Sequence, residues 1–439
     1  MAESPANNYY MKRKIAFISE HASPLASLGG VDSGGQNVYV AELAKHLAAA
    51  GHQVDIFTRW EDSKLPKVID WENNIRVIHV KAGPIAIIQK EDLLAYMPEF
   101  KDDMIDFIAT EKINYNLIHA NFFMSGLVAL WIKEVLNIPF VITFHALGYV
   151  RQIHQGKSDK FPPERIEIER QIVKHADAVI AECPQDRSDL IEYYKAPVEK
   201  IKIIPCGFSG KEFYPISREI ACTIVGLKAD EKILLQLGRM VPRKGVDNVV
   251  RSLGRLKNSA AQYRLVVVGG ETDDPNPMAC PEIARLMKIA RSEGVEDKVT
   301  FVGRKNREML KYYYCAADIF ISTPWYEPFG ITPLESMACG TPVIGSNVGG
   351  IKYSVLDGKT GFLVPPNDPN ALAAKVDLLI SNPALHQQMK KAAIHRVKEN
   401  FTWQKVASLV ADLYKEIQVP ALVTTSRTQE TINKKSQAA

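Results

Sequence analysis

Short runs of apolar and β-branched residues alternate with longer stretches of helical periodicity along almost the whole chain. Uninterrupted apolar runs, rather than strict alternation, are what strands covered on both faces require, so the pattern predicts parallel sheets wrapped by helices. In the first half, strands are expected at residues 15–19, 54–58, 75–80, 117–120, 140–144, 178–181 and 201–204. Helical periodicity marks 36–50, closed by Gly51, and then 101–112, 125–136 and 164–175. The series restarts with strands at 233–237, 264–268, 298–302, 319–322, 341–344 and 361–364, and with helices near 246–256, 282–293, 306–316 and 333–339.

Between the two series, residues 205–215 contain Pro205, Gly207, Gly210 and Pro215, the composition of an interdomain linker. The expected division is a first domain over 12–208, a linker at 209–215 and a second domain over 216–395. Both read as doubly wound parallel α/β sheets facing each other across a cleft, and such sheets take ligands beyond the carboxyl ends of their strands. A helical stretch at 396–417 is placed to cross back to the first domain. Residues 1–11 and 419–439 are polar or of low complexity and are expected to be disordered.

Composition narrows the function. With 46% apolar and 24% charged residues among 439, neither a disordered nor a fibrous chain is credible. The net charge of +4 conceals an asymmetry: residues 1–208 hold 23 basic and 27 acidic side chains, residues 209–439 hold 31 and 23. The second half is the one suited to an anionic ligand, while the overall balance gives no reason to expect nucleic acid. Six cysteines, at 183, 206, 222, 280, 315 and 339, form no C-x-x-C pair, which argues against both a zinc site and a disulfide scaffold. No apolar stretch approaches the roughly 20 residues of a membrane span, and the apolar run after Lys12, Arg13 and Lys14 is too short for a signal peptide. A reducing, cytoplasmic setting is expected.

Three loops carry candidate chemistry. Gly29-Gly30-Val31-Asp32-Ser33-Gly34-Gly35 leads from the first strand into the Gln36 helix; glycines allow close backbone approach to a ligand, and a helix N-terminus favours an anion. The run does not spell the dinucleotide fingerprint G-x-G-x-x-G, which argues against an NAD-dependent dehydrogenase. In the second domain, Gly238-Arg239-Met240-Val241-Pro242-Arg243-Lys244-Gly245 follows the first strand, and Arg239 and Lys244 suit a diphosphate, one as a fork and one as a point charge. Tyr326-Glu327-Pro328-Phe329-Gly330-Ile331-Thr332-Pro333-Leu334-Glu335 places Pro333 in a first helical turn, so a helix should begin near Thr332 with the backbone donors of Gly330, Ile331 and Thr332 aimed at the cleft. Glu327 and Glu335, eight positions apart, can grip two hydroxyl-bearing parts of one ligand.

These three motifs in order resemble the large retaining glycosyltransferase family 4, which contains sucrose-phosphate synthases, sucrose synthases and the mycothiol-pathway transferase, and the resemblance extends over roughly residues 14–417. It implies a GT-B fold of two Rossmann-like domains, an acceptor-binding first and a nucleotide-sugar-binding second. By the same resemblance Arg239 and Lys244 neutralise the donor diphosphate, Glu335 holds the ribose hydroxyls and Glu327 the donor sugar. Gly35 and the Phe329, Gly330, Ile331 and Thr332 backbone meet sugar and phosphate. No metal or other cofactor is expected. His145, in Thr143-Phe144-His145-Ala146, reads on its own as a structural histidine; the resemblance makes it the residue facing the donor sugar, a neutral or cationic donor rather than a general base.

For the acceptor, the resemblance implies Gln36 and Asn37 together with Lys90 and Arg165 as grips for a phosphate. Surface charges paired with Glu91 and Glu169 fit the last two equally well. Gln36 follows the sucrose-type pattern and Asn37 the mycothiol type. Phe122 and Ala146 stand where the mycothiol branch has a Tyr and a Thr that contact inositol phosphate, and Pro205-Cys206-Gly207 replaces the usual Pro-Pro-Gly or Pro-His-Gly hinge. The expected activity is hexosyl transfer from a nucleotide diphosphate sugar to a small sugar or polyol, phosphorylated or free. A GT-B sugar-nucleotide epimerase, which needs no acceptor, and a non-catalytic sugar-nucleotide-binding protein are the alternatives.

Overall fold

Two sheets organise the chain, described here from a computed structural model covering residues 12–26, 34–256 and 262–418. The first contains β1 (Lys14–Ile18), β2 (Gln53–Arg59), β3 (Val68–Glu72), β4 (Ile75–Val80), β5 (Leu117–Asn121), β6 (Phe140–Thr143), β7 (Ala178–Ala181) and β8 (Ile201–Ile203). Its order is β3-β4-β2-β1-β5-β6-β7-β8, parallel throughout except for β3, which runs antiparallel to β4. The second contains β9 (Lys232–Leu237), β10 (Tyr263–Val268), β11 (Val299–Gly303), β12 (Ile319–Ser322), β13 (Val343–Ser346) and β14 (Gly361–Val364), in the order β11-β10-β9-β12-β13-β14 and all parallel.

Both faces of each sheet are covered, which is why the strands read as apolar runs. Along β1, Ile15 and Phe17 pack with Tyr39, Leu43 and Leu47 of the helix Gly35–Ala49, while Ala16 and Ile18 pack on the opposite face with Met104, Met124 and Val128. The strand order reverses between β1 and β5 and between β9 and β12, so a crevice opens at the carboxyl edge of each sheet. The two crevices face each other.

Several elements differ from the sequence expectation. Strand β3 was not anticipated, because its residues are half-exposed and it lies at the sheet edge. Helices Gly148–Gln155, Pro184–Tyr194 and Arg218–Val225 were also missed; the first buries only Gly148 and so shows little apolar face. The strand expected at 341–344 begins at Val343, since Thr341 turns its hydroxyl onto the Tyr314 carbonyl at 2.6 Å. The disorder expected for residues 1–11 and 419–439 lies outside the described residues, as do Gly29 to Ser33.

The last helix, Trp403–Glu416, packs on the first domain. Trp403 meets Tyr39 edge-on at 5.8 Å, and the Tyr414 hydroxyl lies 2.6 Å from His119 Nδ1 on β5. Gly207 makes this docking possible: a methyl group there would stand 2.8 Å from Trp403 Cδ2 and 2.9 Å from its backbone nitrogen. Gly207→Ala is therefore expected to cost about 1–3 kcal/mol of stability by overpacking, read as a lowered unfolding midpoint; an unchanged midpoint would show that the contact yields without cost.

Candidate active site

The turn after β9 carries the cations. Gly245 adopts φ +65°, and a methyl group on it would fall 2.0 Å from the Thr323 carbonyl oxygen, so only glycine lets this turn lie against the loop that follows β12. That contact brings Lys244 onto Glu327, 83 positions away, as an ion pair. Burial lowers the Lys244 ammonium to about pKa 8; Glu327 opposes the shift, and Arg243 and Arg239 add to it. Burial would raise the Glu327 carboxyl, but Lys244, Arg243 and Arg239 outweigh it and hold it below the ordinary value. The two side chains retain 20% and 13% of their exposure, so the pair is open to a ligand at the cleft.

Glu327 is held from behind by a second glycine turn. The Gly350 amide donates to the carbonyls of Glu327 and Pro328 at 3.2 and 3.1 Å, and a methyl group on Gly349 would overlap the Glu327 carbonyl oxygen. After it, Gly330 at φ +90° caps the helix Ile331–Ala338, which starts one residue earlier than expected and places Pro333 at its third position. The amides of Ile331 and Thr332 have no acceptor within the helix. Phe329 is 2% exposed: its ring packs near Phe401, and its backbone lies so close to Gly350 that a methyl group there would stand 2.3 Å from the Phe329 Cα, so the residue supports the loop from behind.

Glu335 lies deeper, at 2% exposure. One oxygen accepts from Arg307 Nη1 at 3.0 Å and the other from the Tyr314 hydroxyl at 3.0 Å, while burial raises its pKa against the pull of Arg307. Each oxygen keeps a second lone pair, so a ribose hydroxyl can still be accepted. Arg307 in turn bonds Glu212 in the linker at 2.9 Å.

The first domain presents Gly34 and Gly35 to this constellation. Methyl groups on them would lie 3.9 Å from Arg239 Nε and 3.6 Å from Ile331 Cδ1, so the helix N-terminus beginning at Gly35 closes directly over the diphosphate candidates. Gln36 Nε2 donates to the Ser19 hydroxyl at 3.2 Å and the Asn121 carbonyl at 3.3 Å. Asn37 serves the loop itself: its side-chain oxygen accepts from the Gly34 amide and its nitrogen donates to the Ser23 carbonyl, both at 2.9 Å. With both ends engaged at 3% exposure, Asn37 shapes the turn in this structure. His145 sits between Glu182 and Asn121, each 3.1 Å from a ring nitrogen.

The two phosphate candidates part company. Lys90 opens a short 3₁₀ helix, half-buried, with Glu91 3.9 Å away. Arg165 is not on the surface: at 2% exposure it bonds Glu169 at 2.7 Å and the Ala146 carbonyl, and it lies 4.6–4.8 Å from the rings of Phe122, Phe123 and Phe161. Its Nη1 has no partner among the described residues. Phe122 and Ala146, the positions that depart from the mycothiol pattern, are thus both in contact with Arg165.

Asn121, Glu182, Arg307 and the Gly349-Gly350 turn were not among the expected site residues; only the last left a local signal, a glycine pair that two residues separate from the end of a strand. A cavity of about 280 Å³ beside Glu327 was not expected either; it is lined by Leu147, Val150, His154, Trp325, Tyr326 and Val348 from both domains. Gln155 Nε2 donates to the Tyr326 hydroxyl at 2.5 Å across it. Among the described residues no group of three His, Cys, Asp or Glu side chains could hold a metal ion, and no helix is long and apolar enough to cross a membrane.

Two family models match in tandem: Glycosyltransferase Family 4 over residues 33–209 and Glycosyl transferases group 1 over 218–396. The D-inositol 3-phosphate glycosyltransferase of Corynebacterium diphtheriae is 31% identical over 410 residues, 92% of this chain and 95% of that one. The corresponding protein 2 of Catenulispora acidiphila is 33% identical with the same coverage. The chain is a family 4 glycosyltransferase. Its GT-B fold is that of sucrose-phosphate synthase from Thermosynechococcus elongatus, at 36% identity and a TM-score of 0.84, covering 92% of this glycosyltransferase and 99% of that chain. Anabaena HepE, solved with UDP, shares the fold at 19% identity and a TM-score of 0.72, over 92% of this chain and 100% of that one. None of these likenesses supports an epimerase or a non-catalytic binding protein.

Proposed function

We propose that this glycosyltransferase moves a hexosyl unit from a nucleoside diphosphate sugar to a small phosphorylated sugar or polyol, with retention at the anomeric carbon and without a divalent metal. The observation that carries the reading is the convergence of Arg239, the Lys244–Glu327 pair and the Ile331 helix N-terminus on Gly34 and Gly35 of the opposite domain. Cations and backbone amides so placed can stabilise a departing diphosphate by electrostatic preorganisation, the service a metal ion gives elsewhere. The bond from the anomeric carbon to the phosphate oxygen breaks, the acceptor oxygen bonds the same face, and the acceptor's hydroxyl proton leaves with the diphosphate. Glu327, adjoining the interdomain cavity, would hold the transferred sugar.

A phosphorylated acceptor is supported by the names of the relatives at 31–36% identity, a D-inositol 3-phosphate glycosyltransferase and a sucrose-phosphate synthase. Of the two first-domain cations, Lys90 keeps partial exposure, whereas the Arg165 guanidinium is buried on Glu169 and its unpartnered Nη1 is out of contact with solvent. Because Phe122 and Ala146 surround that guanidinium in place of hydroxyl-bearing residues, a hexose phosphate is favoured over an inositol phosphate. A nucleotide-release assay crossing donors with free and phosphorylated acceptors tests this. Preference for a phosphate ester by about 100-fold or more over its free sugar is expected, with a retained anomer by proton NMR and no loss in chelator. Equal use of the free acceptor would remove the phosphate site, an inverted product the stereochemistry, and chelator sensitivity the metal independence.

A further inference from the structure

His145 occupies a left-handed backbone conformation, φ +57°, with its ring edge-on to Tyr39 at 4.7 Å. The hydrogens on that ring can be counted from its neighbours. Asn121 Nδ2 donates to the carbonyls of Ile18 and His119 at 3.3 Å, groups that only accept, so the amide orientation is fixed and its oxygen faces His145 Nε2 at 3.1 Å. Nε2 must therefore carry a hydrogen. On the other side, Nδ1 lies 3.1 Å from Oε1 of Glu182, itself only 3% exposed. A ring nitrogen and a carboxyl oxygen at this distance need a hydrogen between them, and Nδ1 is the ring's second site for one.

We infer that Glu182 is a positioning residue for His145: with Asn121 it holds the imidazole doubly protonated and in one orientation, so that a His⁺–Glu⁻ pair stands behind the sugar end of the cleft. The hinge joins the same carboxylate, since the Cys206 thiol donates to Glu182 Oε1 at 3.1 Å. The remaining titratable groups packed here leave the charge on that pair. Burial and the Glu182 charge push Asp186, whose carboxylate accepts from the Glu182 amide at 2.9 Å, up to about 8. Burial lowers His119 to about 3 and raises Tyr39, Cys206 and Cys183, so all four are neutral at pH 7. With both ring nitrogens engaged, His145 acts on the sugar through its fixed ring and charge.

The inference rests on the transfer reading only for its kinetic arm. In the wild-type protein labelled with ¹⁵N-histidine, the His145 signals, assigned by their loss in His145→Gln, should show two protonated ring nitrogens at pH 7. Glu182→Gln should leave a single ring hydrogen and lower kcat about 10- to 100-fold, with donor KM within about twofold, and Glu182→Asp should restore part of kcat. A singly protonated wild-type ring would overturn the inference, whatever the reaction. So would a Glu182→Gln protein with unaltered ring signals and kcat.

Discussion

Lys244→Ala should weaken nucleoside diphosphate binding by about 30-fold or more, equivalent to about 2 kcal/mol, because it removes a charge-assisted contact and leaves Glu327 without its ion-pair partner. The wild-type protein should show the same group through pH. In the free protein Lys244 loses its proton near pH 8, whereas a bound diphosphate favours the charged form. Affinity is therefore independent of this group below about pH 8 and falls above it, by at most tenfold per pH unit, with a proton taken up on binding. Calorimetry at pH 8.5 in buffers of different ionisation enthalpy measures that uptake. Nucleotide affinity unchanged in Lys244→Ala, or no proton uptake in the wild type, would take the diphosphate away from this lysine.

The largest effect on stability is expected at Glu335. Glu335→Ala removes the acceptor of both Arg307 and the Tyr314 hydroxyl in a buried site, and breaking a buried pair of this kind costs about 3–5 kcal/mol. Glu335→Gln keeps an acceptor and should recover a good part of that loss. Free nucleotide affinity should fall in Glu335→Gln, through the ribose, and stay near wild type in Glu327→Ala, whose loss should appear in turnover. Urea unfolding and calorimetry on the three variants separate the outcomes: an unmoved unfolding midpoint in Glu335→Ala, or equal nucleotide loss in Glu335→Gln and Glu327→Ala, contradicts this division of roles.

The fold was legible because central parallel strands are buried on both faces and therefore stand out as runs such as Ile15 to Ile18 and Leu265 to Val268. Edge strand β3 and the polar helix Gly148–Gln155 have no such constraint and left no pattern. In the site, motif spacing identified the loops but not what they hold on to. Lys244 and Glu327 were assigned to separate parts of the donor, yet in the structure they hold each other. Arg165 and Glu169 were anticipated as neighbours one helical turn apart, but their burial depends on three phenylalanines, one of them in the separate loop after Lys160. Glu182 left no signal in the sequence, since its partners at 145 and 206 are brought to it only by the order of the strands.

The docking of Trp403 and Tyr414 onto the first sheet gives the fold an order of assembly. The segment that finishes the first domain is translated after the whole of the second. As the chain emerges from the ribosome, the second sheet has all six of its strands before the first has its closing helix. Until that helix arrives, Tyr39 and His119 lack the aromatic and hydrogen-bonding partners that it supplies. The domain made first is therefore completed last, and its unfinished face is the one a chaperone would meet during synthesis.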